Sequence, residues 1–491
     1  MSAAESPVVN QALITLRDDK GLSQQDLADE LNDLAARTHD KHPMITRKTI
    51  GRWERGQVVW PQPFYRRLLG EYFGVSVEEL GFRRPRTATR QQTDDLTSTT
   101  PAMALITTAP ADPYVLCDQE RWRDSRAALG RHRRGLAVLA EGLYRDYRID
   151  GLRGSGAITV PAWLPDQPVL IEEITLELNS VVAEPAVAGG EPDSASVRPL
   201  ATIDRRFRRY HDAVRDLAAP TLFENRLCFR IIEADWRRPM IRFGQMGFYD
   251  AIDINEALAH EFASNHLAID RETETTLLRP SWRRLAFRKL IGNPFDLSRR
   301  PLMGAIGTLT IRGGESPSLV LHQRDGERVA GGGGMIHLLP AGIFQPSSVL
   351  PAAIAEDFSI WRNIQREYAE ELLGHGEYDG SGQPIRYDSV EPFTTMDRAR
   401  AAGKIRVYCL GVTLDALTLA GDIITAAVIE PDVYDELFAE IVKTNSEGSV
   451  AARALPFEEN TLKWLRESQQ LSPGAAAALH FAWRHRHSLL R

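Results

Sequence analysis

The chain contains few cysteines and no long apolar run. Its three cysteines among 491 residues, Cys117, Cys228 and Cys409, lie far apart, which argues against a CxxC metal site and a disulfide-stapled scaffold. No run of about 18 apolar residues occurs, so we expect no membrane-spanning helix and no membrane partner. The N-terminus lacks a basic segment followed by an apolar one, so we expect no export signal. These absences together predict a cytoplasmic protein.

The overall composition is that of an ordinary globular protein, with 43% hydrophobic and 25% charged residues. The chain is longer than the ~250 to 300 residues that one hydrophobic core usually holds, which predicts several domains. The formal net charge of −7 does not exclude nucleic acid as a partner, because binding depends on where positive charge is concentrated.

The sequence pattern divides the chain into four segments. Residues 8–82 carry apolar positions at helical spacing, which predicts an all-α domain. Residues 83–113 are rich in Arg, Thr, Pro and Gln without apolar periodicity and are typical of a linker. Residues 114–295 predict an α+β middle region of unknown role, and residues 296–491 predict an α/β domain that ends in a helix.

The last two segments contain recognisable element patterns. Strands are predicted at 169–178, 226–234, 304–311, 318–322, 335–339, 405–412 and 423–429. Helices are predicted at 114–147, 203–217, 358–373 and 473–487. The 114–147 helix is strongly basic, and its arginines admit two interpretations. They form either a helix face that packs beside the next domain or a further surface that contacts phosphate.

Two candidate helix N-termini lie close together in the first segment. Ser23 is a candidate N-cap for one helix, and Thr46 is a candidate N-cap for a second helix that ends at Gly56. Ile50 and Trp53 lie three residues apart, which places them on one buried face of the second helix. The exposed faces then carry Arg47, Lys48, Gly51, Arg52 and Arg55. A helix with these exposed residues suits the major groove of DNA, and Gly51 would let its backbone approach the duplex closely.

Residues 22–28 and 46–56 resemble the Xre/Cro-type helix-turn-helix family, whose pattern is L-S-Q-x-x-L-A followed by S/T-x-x-x-I-x-x-[W/Y/I]-E-x-G. The resemblance implies double-stranded DNA as the partner. It also implies that Gln24 contacts phosphate. The residues expected to face the major groove are Thr46, Arg47, Lys48, Thr49 and Arg52, and Arg55 is a further cation expected to bind DNA. Residues 32–43 make the connection between the two helices about a dozen residues longer than the family's short turn.

A second motif lies in the C-terminal segment. Residues 337–342 and 366–374 read H-L-L-P-A-G and R-E-Y-A-E-E-L-L-G, which resemble the box of the Nudix hydrolases, G-x5-E-x7-R-E-U-x-E-E-x-G-U. The resemblance extends over residues 300 to 440 and implies an α/β Nudix-like sandwich. Glu367, Glu370 and Glu371 are spaced i, i+3, i+4, which predicts three carboxylates on one helix face, a set suited to Mg²⁺ and to a diphosphate ligand.

The Nudix-like box also departs from the family pattern. About ten additional residues separate Gly342 from Arg366, and the position of the early glutamate falls near Ser347 or Ser348. Three interpretations of the glutamates remain open. They are a solvated helix face with Arg366 paired to a neighbouring carboxylate, a ligand or metal site without turnover, and a hydrolytic site.

The sequence therefore predicts a multidomain transcription regulator with an all-α helix-turn-helix head, an α+β middle region and an α/β Nudix-like sandwich. The C-terminal part is expected to sense a small, nucleotide-type effector. A homodimer is expected, because a single head covers little DNA and paired heads read two half-sites. One alternative is a Mg²⁺-dependent Nudix hydrolase with an autoregulatory DNA-binding head. Another is a head that binds protein.

Overall fold

A computed structural model of the chain divides into two compact units, Met1–Ile106 and Thr107–Arg491. It describes residues 10–39, 45–82 (except 57, 59–60, 62, 76 and 78), 112–220, 223–268, 276–324, 335–373, 384–438, 448–450, 454–468 and 470–491. The predicted linker at 83–113 lies outside the described residues except for its last two positions. No helix in these described ranges is both long enough and apolar enough to cross a bilayer.

The first unit is built from helices α1 Gln11–Asp19, α2 Gln24–His39, α3 Arg47–Glu54 and α4 Pro63–Phe73. Asn10 caps α1 by accepting a hydrogen bond from the Leu13 amide at 3.2 Å. One hydrophobic cluster holds the four helices together, and Trp53 lies within it beside the rings of Tyr65 and Phe82, at centroid distances of 5.5 and 6.4 Å. This unit is helical as predicted.

The predicted connection at 32–43 is corrected by the structure. Helix α2 contains neither glycine nor proline and continues to His39, so most of the supposed loop is helix. Leu31 and Ala35 continue its buried face. The Asn32 side chain then positions the chain before α3, because it donates to the Ile45 carbonyl and accepts from the Ile45 amide, both at 2.8 Å.

The second unit combines helices with several sheets. Its helices are α5 Pro113–Glu141, α6 Tyr210–Leu217, α7 Phe248–Ala251, α8 Ala257–His266, α9 Ala286–Ile291, α10 Pro351–Asp357, α11 Ile360–Glu367, α12 Phe393–Ala401, α13 Pro431–Leu437, α14 Glu459–Ser468, α15 Pro473–Arg484 and α16 Arg486–Leu489, with π-helical turns at Ile252–Glu256 and Tyr368–Leu372. Its strands are β1 Ala157–Ile158, β2 Val169–Leu170, β3 Thr175–Leu178, β4 Leu200–Thr202, β5 Arg205–Arg206, β6 Leu227–Asp235, β7 Met240–Gly247, β8 Leu267–Ala268, β9 Thr276–Leu277, β10 Gly304–Arg312, β11 Ser318–Leu319, β12 His322–Arg324, β13 Ile336–His337, β14 Ala341–Ile343, β15 Ile405–Asp415, β16 Gly421–Ile429, β17 Gly448–Val450 and β18 Leu455–Pro456.

The main sheet has eight strands in the order β1-β15-β16-β10-β11-β18, with β14 paired to β10 and β2 paired to β15. Strands β10 and β16 run parallel and their neighbours run antiparallel. Along β16, Ile423 and Ala427 pack into a cluster shared with α11 and α12, whereas Ile424 and Val428 pack into a cluster shared with α15. This alternation covers both faces of the sheet with helices.

A smaller sheet of order β3-β7-β6 lies within the same unit. The predicted boundary at 295/296 does not separate two cores, because β1 and β2 from the middle region pair with β15 and one hydrophobic cluster runs through both segments. The prediction of a multidomain chain that combines helices with mixed α/β sheets is confirmed in that coarse form.

The structure also changes several predicted elements. The strand predicted at 169–178 is divided into β2 and β3 by a 3-10 turn. The helix predicted at 203–217 begins only at Tyr210, because β4 and β5 form a hairpin before it. Strand β7 was not predicted, since its sequence mixes apolar, charged and glycine residues without a clean alternation.

The basic helix α5 packs against the unit through its arginines. Arg133 and Arg126 lie 2.7 and 3.5 Å from the carboxylate of Glu256. Burial acts to raise the pKa of Glu256, but the two guanidinium groups outweigh it and lower that pKa to about 2. These two cations therefore stabilise the fold, which agrees with the interpretation of α5 as a packing helix.

His260 lies in the same buried region and makes the stability of this unit depend on pH. Its Nδ1 is 3.0 Å from the Tyr210 hydroxyl, and its ring stacks on Trp122. Burial lowers the pKa of His260 from 6.5 to about 3, with a further contribution from the positive charge of Arg126. As the pH falls from 6.5 towards 3, His260 takes up a proton in the unfolded chain but stays neutral in the folded chain. Proton uptake favours the unfolded state, so stability that is present above pH 6.5 is lost as the pH falls.

We expect His260 to lower the free energy of unfolding by about 2 kcal/mol between pH 7.5 and pH 5. Urea unfolding of the wild type and of His260→Gln at both pH values measures this difference. The His260→Gln variant should lose that part of the pH dependence, whereas His487→Gln, at an exposed position, should keep it. Equal pH dependence in the wild type and His260→Gln would refute this assignment.

Candidate functional site

Helix α3 presents one buried face and one exposed face. Thr46 caps its N-terminus by accepting from the Thr49 amide at 3.3 Å, and the Thr49 hydroxyl lies 3.4 Å from the Thr46 amide. Ile50 and Trp53 are buried in the core of the first unit, as predicted. The helix is thus fixed at its start and along its inner face.

The outer face of α3 carries positive charge that no other described group neutralises. The side chains of Arg47, Arg52 and Arg55 are exposed, and none of the three has an ion pair or hydrogen bond among the described residues. Thr46 is exposed and Thr49 is half-buried. The Lys48 backbone belongs to α3, but its side chain lies outside the described atoms. The predicted DNA-facing residues of this helix therefore share one element, with cations directed to solvent.

Glu54 holds α3 against the first two helices. Arg17 donates to one oxygen of its buried carboxylate at 2.6 Å, and Gln24 donates to the other at 2.5 Å. Hydrogen bonding to Glu54 raises the pKa of Arg17 above its ordinary value. The side-chain amide of Gln24, predicted to contact phosphate, thus fixes the angle between α2 and α3.

The predicted exposure of Gly51 is corrected by the structure. Gly51 is buried, and a Cβ at this position would lie 2.9 Å from Arg55 Nη1 and 3.4 Å from Gln24 Oε1. The missing side chain leaves room for the ends of these two neighbouring side chains, and the close approach of a duplex at this position stays a prediction. This contact is one that the pattern of exposed and buried positions could not predict.

The Nudix-like box is folded around its glycine. A Cβ at Gly342 would lie only 1.9 Å from Glu367 Oε1, so the carboxylate packs directly against this backbone. Glu371 is buried and accepts a hydrogen bond from the Ala341 amide at 3.0 Å. The structure therefore brings the two halves of the box together, although many residues separate them in sequence.

The predicted spacing of the three glutamates assumes a regular α-helix. In the structure α11 ends at Glu367, and Tyr368–Leu372 forms a π-helical turn that contains Glu370 and Glu371. Glu367 and Glu370 are half-buried, whereas Glu371 is buried. The described residues include no group of three or more His, Cys, Asp or Glu side chains that is arranged to hold a metal ion. We therefore derive no metal-assisted step, and the Mg²⁺ site stays a prediction.

Arg366 of the box forms a buried ion pair. Its Nη1 lies 2.9 Å from Asp357 Oδ1, and it also donates to the Tyr387 hydroxyl at 2.8 Å. Burial acts to lower the pKa of Arg366, but Tyr387 and Asp357 outweigh it and hold that pKa above its ordinary value. Asp357 also accepts from the amide and hydroxyl of Ser347 at 2.7 and 2.5 Å. The pair therefore joins α11 to α10, which lies in the segment inserted relative to the Nudix pattern.

No role was predicted for Glu54 or Asp357, although their carboxylates hold together the elements of the two candidate sites. Glu54 was visible as the glutamate of the helix-turn-helix pattern, but its partners come from two other helices. Asp357 lies in the insertion relative to the Nudix pattern, where no motif position exists for it. Both carboxylates are found only once the fold brings their partners to them.

No family model matches this chain, and no curated protein matches it. Among solved structures, the chain is similar to the crystal structure of a NUDIX hydrolase from Alicyclobacillus acidocaldarius, with 15% identity and a TM-score of 0.23. The similarity covers 36% of this chain and 90% of that chain. A TM-score this low carries no argument, so the functional conclusions rest on the residues of the chain itself.

Proposed function

We propose that the chain is a transcription regulator that binds double-stranded DNA through helix α3. The observation that carries this proposal is a set of exposed arginines, Arg47 and Arg52 on α3 and Arg55 at its C-cap, none of them paired among the described residues. Phosphate oxygens and the edges of guanine bases accept hydrogen bonds from cationic side chains that are not already paired within the protein.

The inner contacts of α3 support the same proposal. A recognition helix must keep its orientation while its outer face meets DNA, because a small rotation displaces every contact. Ile50 and Trp53 anchor α3 in the core, and the Glu54 carboxylate ties it to Arg17 and Gln24. The helix is therefore pre-organised, so little conformational entropy is lost when it binds.

We further propose that the chain acts as a homodimer on a two-fold symmetric operator. One short helix covers too little of a site to distinguish it within a genome, whereas two heads read half-sites about one helical turn apart. Operators composed of inverted half-sites are the expected consequence.

Fluorescence anisotropy with the full chain tests the proposal. Labelled duplexes from the region upstream of its own gene should bind in the presence of excess unlabelled random duplex. The labelled strand alone, without its complement, should bind at least ~10-fold more weakly. Equal binding to single strands, or no binding to any duplex, would contradict the proposal and favour a head that binds protein.

The second unit is proposed to bind a small effector without hydrolysing it. Two of the three predicted metal ligands are engaged within the protein, since Glu371 accepts from the Ala341 amide and Glu367 accepts from Asn363 at 3.1 Å. We expect no turnover when the full chain is incubated with Mg²⁺ and a panel of nucleoside diphosphate compounds. Turnover that Glu370→Gln abolishes would instead establish the hydrolase alternative.

A further inference from the structure

A cavity of about 540 Å³ opens in the second unit between strand β6 and residues 179–183 and 295–298. This volume lies in the range of about 300 to 1,000 Å³ that is typical of small-ligand sites. Part of its wall is aromatic, because the rings of Trp163 and Phe295 meet edge to face at 4.9 Å. Val182 and Ile232 add aliphatic surface. The cavity can therefore hold a body that is largely apolar.

One charged side chain in this wall is almost fully buried. Arg230 is only 6% exposed, and its neighbours on β6, Phe229 and Ile231, belong to the hydrophobic core. The guanidinium donates to two backbone carbonyls, those of Ala183 at 3.2 Å and Leu297 at 3.3 Å. Its Nε is buried and has no hydrogen-bond partner among the described residues. Burial lowers the pKa of Arg230, and the negative charges of Glu184 and Asp250 offset this effect only in part.

The acidic residues in the same wall do not neutralise Arg230. Asp296 accepts from the amide and the hydroxyl of Ser298, at 3.1 and 2.6 Å. Glu233 accepts from Arg242 at 2.7 Å and is half-exposed with it on the surface of the sheet. The cavity thus contains one buried cation whose charge is not balanced by a hydrogen-bonded carboxylate.

We propose that this cavity binds a small organic anion. Its carboxylate or phosphate oxygens accept from the free N–H groups of Arg230, and its apolar body lies against Trp163 and Phe295. A buried guanidinium that no described carboxylate contacts directly is costly, because the charges of Glu184 and Asp250 offset its burial only in part. An oxyanion ligand relieves that cost as it binds. The planar donor fork of arginine matches two oxygens of such a group. The inference that this anion is the regulator's effector rests on the proposed function, whereas the binding itself does not.

Calorimetric titration of the full chain, without DNA, tests the site. Benzoate and phenyl phosphate serve as anionic probes, and benzyl alcohol is the uncharged probe of similar size. We expect at least one anion to bind with a Kd below about 1 mM and at least ~10-fold more tightly than benzyl alcohol. The anion that binds more tightly distinguishes a carboxylate ligand from a phosphate ligand. Two anions that bind no better than the alcohol would overturn the proposal.

Variants then assign the binding to this cavity. Arg230→Met should weaken binding of the anion by at least ~10-fold. Arg237→Met removes the same charge from a side chain that is 92% exposed on the β6–β7 turn, and it should bind as the wild type does. Unchanged anion binding by folded Arg230→Met would overturn the site.

Ile232→Trp is a second variant, which keeps Arg230 but fills the cavity with a larger side chain. It tests the site even if Arg230→Met does not fold. It should lose binding of both anions, and unchanged binding in this variant would also overturn the proposal. Because DNA is absent from these titrations, a failure of anion binding leaves the DNA-binding proposal intact. A failure of DNA binding likewise leaves the anion site intact.

Discussion

Replacing Arg52 and Arg55 together with alanine is expected to weaken binding of duplex DNA by about 100-fold at physiological salt. Arg52 lies on α3 and Arg55 at its C-cap, and both side chains are exposed and unpaired among the described residues, so their loss removes two cations that the described fold does not use. A bidentate contact of arginine with a base edge contributes roughly 1 to 3 kcal/mol, and a tenfold loss per residue corresponds to about 1.4 kcal/mol, which lies within that range. Anisotropy with the labelled upstream duplexes measures the change.

A matched double variant separates a recognition surface from general charge. Arg37→Ala with Arg67→Ala also removes two exposed arginines from the first unit, but from helices α2 and α4. This control should bind DNA within about threefold of the wild type. Similar losses in the two double variants would show that net charge, and not α3, determines the binding. Circular dichroism of each variant confirms that the helices are retained.

Asp357→Ala is expected to lower the free energy of unfolding of the second unit by about 3 to 5 kcal/mol. The carboxylate is buried, and it compensates the buried charge of Arg366 at 2.9 Å. Without it the guanidinium keeps its burial but loses its counterion, and the Ser347 amide and hydroxyl lose their acceptor. Urea unfolding measures the loss.

The exposed ion pair between Arg312 and Asp435 provides the control for this experiment. Its geometry is as good, with nitrogen–oxygen distances of 2.9 and 2.7 Å, but Asp435 is 59% exposed. Asp435→Ala should change the free energy of unfolding far less than Asp357→Ala does, because solvent screens an exposed ion pair. A loss of stability in Asp357→Ala no larger than that in Asp435→Ala would contradict the assignment of Asp357 as the counterion of Arg366.

The helices of the first unit and the central strands of the main sheet could be predicted because their signals are local. Thr46 caps α3, Ile50 and Trp53 mark its buried face, and β10 and β16 begin or end within a few residues of their predicted limits. The length of α2 was underestimated, because the short turn of the resembling family suggested a loop where the sequence permits a helix.

The contacts that organise the candidate sites could not be predicted in the same way. Arg366 of α11 meets Asp357 at the end of α10, and Glu54 meets Arg17 from an earlier helix, 37 residues away in the chain. Arg230 stands between Phe229 and Ile231 on strand β6, where nothing local indicates that it lines a cavity. Such pairings depend on tertiary structure, so periodicity and motif spacing carry no signal for them.

The salt dependence of duplex binding by the full chain tests the central proposal most directly. If α3 lies on DNA with its arginines at phosphates, the logarithm of the association constant should fall linearly with the logarithm of salt concentration. The slope should then be shallower by about 2 in the variant that lacks Arg52 and Arg55, because each phosphate contact releases about one counterion. A chain that binds no duplex at low salt, or a slope that the double variant leaves unchanged, would contradict the account.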